Sequence, residues 1–132
     1  MKLLVFALLL AALASAEGLY YTVESDNGLI IRARAWCDSS GCYALEKRMT
    51  INVSENPDCP QETCGCVNIE TYEARIKNTH DSETLATINH EMLHLHIFET
   101  LSTTEHLRAF RDRENADRES MGLYPRWKEV VE

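Results

Sequence analysis

The chain is expected to fold as an α+β domain, with an antiparallel four-stranded meander at its N-terminal side followed by a buried helix and a second, charged helix. Three observations predict it. Residues 19–77 hold short runs rich in β-branched and aromatic side chains, broken by turn signals such as Asn27-Gly28 and Asn56-Pro57. After Lys77 the apolar spacing lengthens from two residues to three or four. The 132 residues suit a single core once the first few are set aside.

Those first residues place Lys2 before an apolar run over residues 3–13, then the small residues Ala14, Ser15 and Ala16 ahead of Glu17. This is the pattern of a secretory signal peptide over residues 1–16, leaving 17–132 as one domain. The run is shorter than the roughly 20 residues that span a bilayer. The product is therefore expected outside the cell, or in the periplasm if the source is bacterial. With Lys2 removed, 12 basic side chains face 21 acidic ones. Such a surface repels phosphate backbones and acidic lipids, which argues against nucleic-acid and membrane partners.

The strands are expected over residues 19–24, 29–37, 42–53 and 66–76. The second alternates Ile31, Ala33 and Ala35 with Arg32, Arg34 and Trp36, and the fourth sets Val67, Ile69 and Thr71 against Asn68, Glu70 and Tyr72. Cysteines cluster between residues 37 and 66, and export places them where disulfides persist. Cys37 and Cys42 flank a turn and can bridge across it; Cys59 then pairs with Cys64 or Cys66, leaving one thiol over.

The helices are expected over about residues 82–121. Asp81 or Ser82 can cap the first, in which Leu85, Ile88, Met92 and Leu95 recur at helical spacing. Ala86, Leu93, Ile97 and Leu101 form a second apolar set, so this helix is covered on two sides. Ser102-Thr103-Thr104-Glu105 has the form of a capping box, which would start the second helix at once, and Gly122 can end it.

Inside the first helix stands His90-Glu91-Met92-Leu93-His94, an H-E-x-x-H. Histidines four apart share a helical face and can direct two imidazole nitrogens at one Zn2+ about 2.0 to 2.1 Å away, while the intervening glutamate reaches a water beside the metal. That spacing suits hydrolysis: the metal acidifies the water, Glu91 takes its proton, and a polarised carbonyl is attacked.

With this motif on a buried helix behind a sheet, the chain resembles the zincin metallopeptidases over roughly residues 66–119, and small secreted zinc-dependent proteases share its size and export. The resemblance implies His90 and His94 as zinc ligands, Glu91 as general base, and a protein or peptide substrate. The metzincin continuation is absent, since Ile97 and Thr100 occupy its glycine and histidine places. The gluzincin form takes a glutamate some twenty residues on, and Glu114 stands there; a helix pair reversing near Ser102 would bring residues 110–115 level with the histidines. The aspartate that accompanies that glutamate is replaced by Arg118. His106 is the rival third ligand, or a donor to an oxyanion, although the same reversal puts it a turn and a half away. His96 points elsewhere on the helix, and His80 reads as a loop residue.

No propeptide is evident, so an inhibitor or regulatory partner is expected to restrain the activity. The alternatives are a disulfide-stapled binding module with structural zinc or no metal, and a zinc amidase acting on other amides.

Overall fold

A computed structural model describes residues 20–24, 28–60 and 63–128; the expected leader over residues 1–16 and the turn at residues 25–27 lie outside them. Strands β1 (Tyr20–Glu24), β2 (Gly28–Asp38) and β3 (Gly41–Ser54) follow one another antiparallel, as alternation and turn signals require. At the β2–β3 tip, Asp38 Oδ1 accepts the Ser40 N–H at 2.8 Å, and Gly41 takes φ +110°, a conformation that other residues rarely adopt. The Cys37–Cys42 bridge closes this tip.

The four-stranded antiparallel meander does not form. The sheet has five strands in the order β1-β2-β3-β5-β4, with β4 (Gly65–Asn68) and β5 (Glu73–Lys77). β5 lies parallel to β3, pairing Thr50 with Glu73 and Ser54 with Lys77. β4 is antiparallel to β5 and forms the outer edge. The run expected as one strand over residues 66–76 is thus a hairpin. Asn68 breaks it: its Oδ1 accepts the Glu70 and Thr71 N–H groups, and its carbonyl accepts that of Tyr72, which sits at φ 59°. Alternation survives such a turn, so the sequence pattern could not reveal the break.

A second departure lies in β2. The β2–β3 register shifts between Ala33 and Ala35, which changes the parity of the strand. Trp36 therefore turns into the core and Ala35 is only half-buried, where strict alternation put them the other way round.

One sheet face carries Ile31, Ala33, Met49, Ile51, Val53, Ala74 and Ile76, all buried. Helix α1 (Ser82–Leu101) lies on it through Ile88, Met92 and Leu95. Burying each such side chain contributes roughly 1.5 to 3 kcal/mol. Asp81 caps α1 by accepting the Glu83 N–H at 2.9 Å. Its other end stops at Ser102, whose left-handed φ of 55° turns the chain away while its N–H still reaches the Phe98 carbonyl.

No capping box follows. Thr103 Oγ1 accepts the Glu105 N–H, an isolated turn, and helix α2 (Arg108–Ser120) begins only after an irregular stretch over residues 102–107. α2 packs on α1 through Phe110, while the Arg118 guanidinium reaches Glu83 in the first turn of α1 at 2.8 and 3.1 Å. Residues 121–128 then double back along α2.

The second bridge joins Cys59 to Cys66, and Cys64 is free and exposed. Two disulfides point to an oxidising compartment. No helix among the described residues is long and apolar enough to cross a membrane.

Candidate metal centre

His90 and His94 stand one turn apart on α1, half-buried at its contact with α2. The irregular stretch before α2 brings His106 beside them. One ligating atom from each of His90, His94 and His106 can be chosen so that all three lie within 4.8 Å of one another. The Nε2 atoms of His94 and His106 are 3.1 Å apart. Four donors placed tetrahedrally around zinc at 2.0 to 2.1 Å would be about 3.3 Å apart, so His94 and His106 already stand at that spacing and His90, within 4.8 Å of both, would have to close in.

Phe110 forms the floor of the cluster. It is fully buried, and its ring centroid lies 5.0, 4.6 and 4.9 Å from those of His90, His94 and His106. Burial, followed by the neighbouring charges of His90 and His106, lowers the His94 pKa to about 4. His106 is lowered too, chiefly by burial and then by His90. Both imidazoles are thus held neutral, the form that binds a metal.

Glu114 is fully buried and is not one of the three converging ligating groups; its carboxylate is held behind them by His90 and Trp127. His90 Nδ1 lies 2.6 Å from Glu114 Oε2, and Trp127 Nε1 donates to Oε1 at 2.6 Å. Arg126 Nε stands 3.5 Å from the same Oε1. Burial would raise this carboxyl, but the His90 hydrogen bond, the charges of His90 and Arg126 and the Trp127 N–H outweigh it, leaving Glu114 below its ordinary pKa. An ionised carboxylate only accepts, so His90 carries its proton on Nδ1 and presents the Nε2 lone pair. Glu114 therefore stands where a carboxylate would orient His90 towards a metal, and the three ligating atoms that converge come from His90, His94 and His106 rather than from Glu114.

Glu91 is buried, with 6% of its surface exposed, and no other described residue hydrogen-bonds its carboxylate. Burial raises its pKa; His90 and Arg126 pull it down and Glu114 pushes it up. It faces the sheet edge, where a Cβ added to Gly65 of β4 would come within 3.3 Å of Glu91 Oε2.

The remaining histidines are elsewhere. His96 stacks on Tyr43 at 4.9 Å, with Nδ1 3.3 Å from the Ala44 carbonyl, and His80 pairs with Glu55 and Asn78. Asp117 does not reach the site either: it bonds Arg113 at 2.8 Å and faces Asp38. Phe110, Arg126 and Trp127 were not singled out from the sequence. Phe110 stands four residues after His106 among many charged neighbours, and nothing in residues 121–128 marks their return to the site.

No known protein family, curated protein or solved structure matches the chain.

Proposed function

We propose that the chain is a secreted zinc-dependent peptidase of zincin type, in which His90, His94 and His106 hold the metal and Glu91 is the general base. The observation that carries this is the largely buried Glu91 carboxylate, hydrogen-bonded by no other described residue, on the same helix as two of three converging imidazoles. A carboxylate without donors in a structural core is rare, and such groups concentrate at reactive sites.

When bound, zinc would supply Lewis-acid polarisation of a carbonyl and would lower the pKa of a water. His90 is kept in the ligating tautomer by Glu114. Glu91 accepts a proton from the attacking water, and its raised proton affinity suits it to pass that proton to the departing amine. The outer strand β4, beside Glu91, has no strand on its far side among the described residues and could offer main-chain groups to an extended peptide. Export is supported by the leader-like residues 1–16 and by the two disulfides.

The test compares parent and Glu91→Gln for zinc content and for chelator-sensitive cleavage of a denatured protein. The expected result is equal zinc in both, with cleavage by the parent alone. Equal rates in the two proteins would refute Glu91 as the base. Zinc bound without any hydrolysis would instead favour a binding module with structural metal.

A further inference from the structure

We infer that Trp127, on the segment that doubles back from α2, is a positioning residue for the histidine cluster, acting through Glu114 on His90 and by ring contact on His106. This rests on the metal reading above for its consequence, though the contacts stand in the protein without metal.

The return of the chain is fixed at several points. Gly122 takes φ +76°, and the N–H groups of Met121, Gly122 and Leu123 are spent on the last carbonyls of α2. Arg118 Nε then holds the Tyr124 carbonyl at 2.6 Å. Asn115 binds the Trp127 main chain twice, its Nδ2 donating to the carbonyl at 2.8 Å and its Oδ1 accepting the N–H at 3.0 Å. Trp127 is thereby set in one place by a side chain adjacent to Glu114.

From there the indole meets two groups of the site. Its N–H donates to Glu114 Oε1 at 2.6 Å while Oε2 serves His90 Nδ1, so the carboxylate is held from both ends. Its ring lies 5.0 Å from that of His106 at an interplanar angle of 45°. His106 is exposed and belongs to the irregular stretch between the helices, so it lacks the helical backbone that aims His90 and His94. The indole supplies a wall for it. An imidazole placed this way loses less rotamer freedom when it binds a metal.

The test uses the full chain and zinc itself as the probe. Trp127→Phe removes the N–H while leaving an aromatic ring, though a smaller one, beside His106. Zinc affinity, read by competition with a chromophoric chelator, should fall about 10- to 100-fold, as for other losses around a ligand. Glu114→Gln should produce a loss of the same order. In the Glu114→Gln background, Trp127→Phe should cost less than about twofold more, because the two act on one chain of contacts. A merely structural Trp127 predicts additive losses, or none with an unchanged Tm, and either result overturns the proposal. Amide and indole proton exchange on the metal-free parent provides a separate arm: the Trp127 indole proton should exchange slowly and shift on Glu114→Gln. An indole proton that exchanges freely would overturn the positioning role. A slow indole proton in a protein that takes up no zinc would refute the metal reading and leave the contacts standing.

Discussion

Asp117→Asn should abolish a pH dependence of stability that the parent shows between about pH 4 and 8. Asp117 is fully buried on α2, salt-bridged to Arg113 Nε at 2.8 Å, and its Oδ2 meets no nitrogen or hydroxyl donor among the described residues. Asp38 at the β2–β3 tip faces it, accepting Trp36 Nε1 at 2.9 Å and the Ser40 amide at 2.8 Å. A proton on Asp117 satisfies both carboxyls. Burial and then the Asp38 hydrogen bond raise Asp117 from 3.8 to about 7, against the opposing charge of Arg113. The folded protein consequently holds a proton that the unfolded chain releases above pH 3.8. This stabilisation is complete below that pH and is lost as pH climbs to about 7. At about 1.4 kcal/mol per tenfold change in proton affinity, the rise corresponds to at most about 4 kcal/mol. Burial would raise Asp38 as well, but the bonds from Asp117, Trp36 and Ser40 outweigh it and leave Asp38 lowered, so its own contribution changes only below this window.

Asparagine keeps an acceptor for Arg113 and offers Asp38 a permanent N–H donor. Urea unfolding with chelator present, across that pH range, should show the variant gaining on the parent by up to about 4 kcal/mol between the two ends. Parallel stability profiles would refute the shared proton.

Two further outcomes concern the metal centre. His106→Ala should weaken zinc binding by more than the roughly 100-fold of an outer-shell change, whereas His96→Ala should leave metal content unaltered after dialysis; equal behaviour of the two would refute His106 as the third ligand. Gly65→Ala would place a Cβ 2.6 Å from Thr87 Cγ2 and 3.1 Å from Ile76 Cδ1, a crowding that should cost about 1 to 3 kcal/mol in chemical unfolding. Its Cβ would also press on Glu91 Oε2, so cleavage should fall more than zinc content does.

What was legible in the sequence was mostly local. The α1 bounds follow from Asp81 and from the recurrence of Ile88, Met92 and Leu95, and H-E-x-x-H fixes two imidazoles on one face whatever the surrounding fold. The Cys37–Cys42 bridge follows from a tight turn. Strand order was not legible, because alternation says which side chains share a face and nothing about which strand is neighbour to which. The third histidine was misjudged for a single reason. Reading Ser102 as an N-cap wound residues 103–107 into helix and carried His106 away, whereas Ser102 is the left-handed end of α1 and the following residues are free to swing inward. The spacing to Glu114 was informative about proximity to His90, which it meets at 2.6 Å, but spacing does not say what else holds a carboxylate once it is there. That depended on Trp127 and Arg126, twelve and more residues further on.

The place of β5 between β3 and β4 bears on the order of assembly. β1, β2 and β3 can zip together as neighbouring hairpins, yet β4 has no strand to pair with until β5 exists. Until β5 docks, alone or already paired with β4, the hydrogen-bonding row of β3 from Thr50 to Ser54 stays bare. A bare edge in a folding chain is where intermolecular strand pairing starts. The Cys59–Cys66 bridge lies inside the excursion that must close and shortens the path around it, lowering the entropy of docking. α1 follows β5 by only a few residues and α2 covers it later still, so His90, His94 and His106 converge only once the fold is nearly finished. A metal held by these three would seal the protein rather than nucleate it.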